Sequence, residues 1–415
     1  MVILKKIKDN PLSKTYFIIF ALSLLVCLFL PLSWGDDSIF QAKSAGIGLA
    51  EFIRGSARPL TDSFTYFFSK YKIFWRLLNP VVMVSLLACV SYLLPFKPSG
   101  KETAVLFACL MYPTMVIVDA GFIATTLNYL WAVTFGLFSF IPVKKHLCGK
   151  TVSWYEFIVI LPFLVYATNM QQMAVILTVS FAMFTVLSII KKRFSPFIPL
   201  CFATSAGGLA WSFCLNMFGD NNRMLRETGR YFPDFGELGL FEKIELGFSS
   251  TFFSLTMNPH FAMVGFAVFT VFLAIVLCKK KNKVLFVLSL IPPVFAVLMA
   301  LMKFIPAFSG IYQFFSGGMR YFRMEKAVYS FEIVPDIIFV ILIVIVLVCL
   351  YGAFNDKKRF ALAFVILCAG LGSRLMMGFS PTVWASGHRT FCFMFITFTA
   401  AAFILHADNK TKINE

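Results

Sequence analysis

Apolar runs of about 20 residues recur along nearly the whole chain, separated by short polar or basic breaks. They predict about twelve membrane-spanning helices, over residues 15–33, 74–95, 104–119, 122–142, 154–168, 172–190, 195–216, 258–278, 284–303, 334–354, 359–377 and 390–407. The runs at 104–119 and 154–168 are the shortest, and either suits a re-entrant hairpin as well as a span. A β-barrel needs short alternating segments, which these continuous runs exclude. The expected fold is an all-α polytopic membrane protein, one integral membrane domain over residues 1–415 with no separate soluble domain. No internal repeat of the kind common in transporters is visible in the sequence.

The connections between these runs give an orientation. Loops at 1–14, 96–102, 143–151, 191–194, 279–283, 355–359 and 408–415 carry Lys97, Lys101, Lys144, Lys145, Lys150, Lys191, Lys192, Arg193, Lys279, Lys280, Lys281, Lys283, Lys357, Lys358 and Arg359. In an alternating topology all of them fall on one side. By the positive-inside rule that side is cytoplasmic, with both termini on it. Lys5, Lys6 and Lys8 precede the first run and no small-residue cleavage site follows it, so an uncleaved first span is expected.

Composition sharpens the class. With 59% hydrophobic and 14% charged residues, the chain departs from a soluble domain in both directions. A net charge of +17 would suggest nucleic acid in a soluble protein, but here the basic residues sit between apolar runs. That placement argues against a nucleic-acid partner and for contact with membrane lipids. Of the ten cysteines, Cys27, Cys89, Cys109, Cys201, Cys278, Cys349 and Cys368 lie inside apolar segments and form no CxxC pair. They read as small buried hydrophobes, and no His/carboxylate cluster has metal-ligand spacing.

The acids and the long loops gather on the opposite, outer side. Asp36, Asp37, Glu51, Asp62, Asp119, Asp220, Glu227 and Asp234 map to it, as do loops 34–73, 217–257 and 304–333. Chemistry is therefore expected there. In loop 34–73 apolar and polar residues alternate in a partly helical pattern, which predicts helices lying in the interface plane.

Six groups of polar residues stand out. Asp36 and Asp37 follow the first span directly, either as interface markers or as carboxylates facing a polar cavity. Arg58-Pro59 forms a rigid element in the same loop, suited to a phosphate or to lipid headgroups. Asn128, inside an apolar helix, either bonds a neighbouring helix or lines a cavity. Asn169 and Gln172 sit in a tight outer turn whose amides suit sugar hydroxyls. Gly219-Asp220-Asn221-Asn222-Arg223 and Ser386-Gly387-His388-Arg389 each bring basic groups to an outer helix end, against the usual sign bias.

These residues give the chain a resemblance to the GT-C class of membrane glycosyltransferases, in particular bacterial enzymes that modify surface polysaccharides from a polyprenyl-phosphate sugar. The resemblance rests on Asp36-Asp37, Arg58-Pro59, Asn128 to Trp131, Gly219 to Arg223, and Ser386 to Arg389. It spans the chain as architecture, although the sizeable soluble outer domain frequent in that class has no counterpart here. It implies a bacterial plasma-membrane enzyme with an extracytoplasmic site, a polyprenyl-phosphate sugar as donor and a cell-surface glycan as acceptor. Asp36 would orient or deprotonate the acceptor hydroxyl, with Asp37 beside it as a second carboxylate or a ligand for a divalent ion. Arg58, Arg223, Arg389 and His388 would neutralise the lipid phosphate, and Asn128, Asn169, Gln172 and Asn221 would contact sugar. A monophosphate leaving group needs no cofactor if arginines suffice. The competing classes are a lipid-linked oligosaccharide flippase or other transporter, a polysaccharide polymerase, and an O-acyl transferase.

Overall fold

The computed structural model describes residues 11–117, 120–218, 223–316 and 333–411. Among the described residues every regular element is helical and there is no strand. Each of the twelve apolar runs overlaps a helix, and among the described residues ten helical stretches are long and apolar enough to cross a membrane. The protein is thus a multi-pass helical membrane protein. The exceptions are the two runs that are shortest in the sequence. Gly100–Ile117 opens on Lys101 and Glu102, while Trp154–Thr168 has 15 residues, about 22 Å of rise against a hydrocarbon core of about 30 Å.

The chain divides into two compact units, Met1–Arg223 and Met224–Glu415. In the first, the helix Pro11–Phe29 is followed by a turn at Gly35 (φ 53°), whose missing side chain lets the chain pass against the Ala120 backbone. Loop 34–73 then folds as the helices Asp36–Gly46, Leu49–Phe52 and Pro59–Lys70, the helical pattern expected of it. Ile39, Leu49, Phe64 and Phe67 on these helices are exposed.

The end of the first helix is held by a residue the sequence did not single out. Arg76 donates from Nη1 to the Cys27 carbonyl (2.6 Å) and the Leu28 carbonyl, and from Nη2 to the Leu30 carbonyl (2.8 Å). A helix leaves its last carbonyls unsatisfied, and a cation there also opposes the negative end of the helix dipole. Arg76→Ala is therefore expected to cost about 2 kcal/mol, read as a lower thermal denaturation midpoint of the purified protein.

The stretch Phe122–Leu147 is a composite. It runs α-helical over Phe122–Thr125, widens to a π-helix over Thr126–Trp131, and resumes as α-helix over Ala132–Phe138 and Phe140–Leu147. Side chains of neighbouring helices stabilise the wide turn. Trp75 Nε1 donates to Thr126 Oγ1 (2.9 Å), Trp131 Nε1 donates to Asn79 Oδ1 (3.0 Å), and the Tyr166 hydroxyl donates to the Leu127 carbonyl (3.0 Å). A π turn disturbs the i→i−4 ladder, so a carbonyl there is open to an outside donor.

The segment 217–257, most of which belongs to the second unit, is less of a loop than its sequence suggests. It contains the helices Arg223–Tyr231 and Leu240–Thr256, the latter 17 residues long and buried nearly throughout from Glu245 to Thr256. Near its middle, Gly247 meets the Leu375 carbonyl with no room for a Cβ; farther on, the Phe252 ring stacks 5.8 Å from that of Phe339. Its C-terminal end leads by a short turn into Phe261–Lys279. The helix therefore packs against the end of Lys357–Leu375 and the second turn of Ile333–Ala353 before the chain enters Phe261–Lys279. A small apolar cluster of Phe232, Phe235, Leu238, Leu246 and Val383 packs on it.

Candidate functional site

The acid pair separates into two different environments. Asp37 is fully buried, and its carboxylate accepts the backbone N–H groups of Phe122 (2.6 Å), Ile123 (2.9 Å) and Ala124 (3.0 Å). These are orphan donors at the start of a helix, where a carboxylate is favoured by the dipole as well. Gly121 (φ 97°) makes the approach possible, since a Cβ there would stand 2.8 Å from the Asp37 nitrogen and 2.9 Å from its Cγ. Burial pushes the Asp37 carboxyl up from its ordinary value, the three N–H donors pull it down, and the like charge of Asp36 adds to the rise. Both carboxylate oxygens are engaged by the backbone, the geometry of a structural cap. Asp36 opens the same helix but is only half-buried. Successive helical side chains diverge by about 100°, so anchoring Asp37 fixes the direction in which Asp36 is presented.

Arg58 is the N-cap residue of Pro59–Lys70, with Pro59 at the first helical position where its missing N–H costs nothing. The Arg58 backbone N–H donates to Ser56 Oγ (2.8 Å), and Ser56 Oγ donates to Asp62 Oδ2 (2.5 Å), which ties the turn to the first turn of the helix. The Arg58 Nε is buried without a hydrogen-bond partner among the described residues. Arg58 and Asp62 both act electrostatically on the Tyr166 hydroxyl, which also bonds Thr61.

Asn128 sits in the π segment, immediately after the carbonyl that Tyr166 bonds. Its Nδ2 donates to the Ala124 carbonyl (2.7 Å), while its Oδ1 is buried without a partner among the described residues. A buried donor on Arg58 and a buried acceptor on Asn128 are each unsatisfied, at two residues linked to Tyr166. Such groups are rare in native interiors and require an explanation.

The other expected residues are less informative. Asn169 donates from Nδ2 to the Val165 carbonyl (3.1 Å), closing the end of its own helix, and Gln172 is buried in the first turn of the next. Arg223 opens the helix Arg223–Tyr231 and is half-buried. Asn221 lies outside the described residues, as do Asp119, Gly219, Asp220 and Asn222.

His388 and Arg389 belong to the second unit, on a 3-10 turn over Gly387–Phe391. The His388 ring lies 4.3 Å from that of His260, and Arg389 Nε donates to the Ser386 carbonyl (3.0 Å). Arg374, which the sequence does not distinguish from an ordinary helix-end arginine, is 2% exposed with its guanidinium 4.7 Å over the Phe391 ring. The His388 ring also lies 6.3 Å from that of Phe391, so Arg374, His388 and His260 share one neighbourhood within that unit.

Comparison with known proteins finds no matching family model, curated protein or solved structure.

Proposed function

We propose that the protein is a GT-C-type membrane glycosyltransferase of the bacterial plasma membrane, with twelve spans, both termini cytoplasmic and its site on the extracytoplasmic side. It moves a sugar from a polyprenyl-phosphate donor to a cell-surface glycan. The observation that carries this reading is the division of labour in the acid pair. Asp37 is engaged by three backbone N–H groups, and the same anchor fixes the direction of half-buried Asp36, the carboxylate to which this reading assigns the chemistry.

In the proposed reaction an acceptor hydroxyl attacks the anomeric carbon of the donor sugar. The new C–O bond forms as the bond from that carbon to the phosphate oxygen breaks. Asp36 takes the hydroxyl proton, and the electron pair leaves with polyprenyl phosphate. Arg58, with its unsatisfied buried Nε, stabilises the charge that develops on the phosphate, and Asn128 Oδ1 accepts a hydrogen bond from a sugar hydroxyl. The acyl-transfer alternative is weaker, because His260 and His388 lie at helix ends rather than deep within a helix.

The test is to supply the purified protein with polyprenyl-phosphate sugars and a surface-glycan acceptor, and to follow loss of the lipid-linked donor. Transfer supports the proposal. Movement of a lipid-linked glycan across a vesicle without donor cleavage makes the protein a flippase instead. Within the transferase reading, Arg58→Gln is expected to lower kcat/KM for the donor by roughly 100-fold, measured against Arg54→Gln as a neighbouring control.

A further inference from the structure

The first unit contains a cavity of about 500 Å³ that none of the proposed chemistry uses. We propose that it is a binding site for an anionic phospholipid. Its walls come from five stretches of chain: Tyr16 of the first helix, Ala88 to Tyr92 at the end of Lys72–Leu93, Lys97 in the loop that follows, Thr103 in the first turn of Gly100–Ile117, and Lys144 near the end of Phe122–Leu147. In the orientation expected from the sequence, Lys97 and Lys144 lie on the cytoplasmic face.

The depth suits a lipid. Ala88 lies five residues before the helix end at Leu93, about 7–8 Å along the axis, so the cavity reaches from headgroup level down to the first methylenes. The lining is mostly apolar or aromatic, with the cationic groups at the loop end, as an amphiphile with an anionic head requires.

The charges carry the choice of ligand. Lys144 Nζ donates to the Tyr92 carbonyl and to the Leu94 carbonyl (2.8 Å) and lies 5.1 Å over the Tyr92 ring. That geometry caps the helix end and fixes the ammonium at the cavity, leaving one N–H and the whole charge available. Its neighbour Lys145 is neutralised by Glu156 at 2.9 Å. Among the described residues neither Lys144 nor Lys97 has a carboxylate within ion-pair distance. Two uncompensated cations beside an apolar cavity at a membrane face fit a phospholipid phosphate, and basic pockets between spanning helices are known to hold such headgroups. The site is independent of the transferase reading, and Asp36→Asn is expected to leave it untouched.

Native mass spectrometry of the purified full chain, with phosphatidylglycerol and phosphatidylcholine added in equal amounts, tests the proposal. Phosphatidylglycerol is expected to be retained preferentially. Lys97→Ala and Lys144→Ala should each lower that retention about fivefold, the equivalent of about 1 kcal/mol per basic residue. Ser91→Leu, which fills the cavity without touching a charge, should abolish the preference. Because Lys144 also caps a helix, Lys97→Ala and Ser91→Leu carry the test if that variant fails to fold. Equal retention of the two lipids by the wild type overturns the proposal. So does a preference that survives both Lys97→Ala and Ser91→Leu, an equal drop in the control Lys279→Ala, or displacement of the lipid by free glycerol phosphate.

Discussion

Asp37→Ala is expected to destabilise the protein by about 3–5 kcal/mol and to lower its thermal denaturation midpoint by roughly 10 °C. The reason is that three buried N–H groups, those of Phe122, Ile123 and Ala124, lose their acceptor together. Each unsatisfied buried donor costs about 1–3 kcal/mol, and no water replaces the carboxylate without opening the contact between the helix Asp36–Gly46 and Phe122. Asp37→Asn should fall between the wild type and alanine. Its single carbonyl oxygen can replace Oδ2, which serves Phe122 and Ile123, but its NH2 group then faces the Ala124 N–H as a second donor. A melt monitored by circular dichroism orders the three proteins. If alanine melts with the wild type, the capping role is wrong.

Asp36→Asn is expected to behave in the opposite way. Its side chain is half-buried and asparagine keeps its size and shape, so the melting midpoint should stay within about 1 °C of the wild type. Transfer should nevertheless fall by about 100- to 10,000-fold, the usual worth of a positioned general base. The loss should appear in kcat with little change in KM for the lipid donor, because the carboxylate acts on the acceptor hydroxyl in the transition state. A rise in KM at constant kcat would instead make Asp36 a binding group. The contrast between adjacent carboxylates, one lost in stability and one in turnover, is the sharpest consequence of the geometry.

Much of the fold was legible because spanning helices leave long apolar runs that no soluble element imitates. The helices of loop 34–73 were legible for a related reason, an alternation of apolar and polar residues at helical spacing. The helix Leu240–Thr256 was not, since Glu242, Lys243, Glu245 and a run of Ser and Thr break its apolar character. Its burial becomes affordable because the hydroxyls satisfy themselves on their own backbone. Thr251 donates to the Gly247 carbonyl (2.6 Å), Ser254 to Ser250 (2.8 Å) and Thr256 to Phe252 (2.7 Å).

The candidate site was legible by residue type and hidden in its roles. Asp36 and Asp37 look equivalent in the sequence, and what separates them is a helix start 85 residues away. Gly121 was the available signal, a glycine at the entry to an apolar helix where close approach of another segment needs an absent side chain. Arg76 carried a signal of a different kind, a lone basic residue in an aromatic and apolar run away from the lysine clusters. Its three carbonyl partners lie 46 to 49 residues earlier, beyond what periodicity can report. Arg374 was hidden likewise, because only the folded chain brings Phe391 beneath its guanidinium.

The most direct measurement of the central claim is release of polyprenyl phosphate from a radiolabelled polyprenyl-phosphate sugar, with purified wild type and Asp36→Asn compared at equal folded concentration. The account predicts acceptor-dependent release by the wild type and release reduced at least about 100-fold by Asp36→Asn. Full release by Asp36→Asn, or none by the wild type with any such donor, would contradict it.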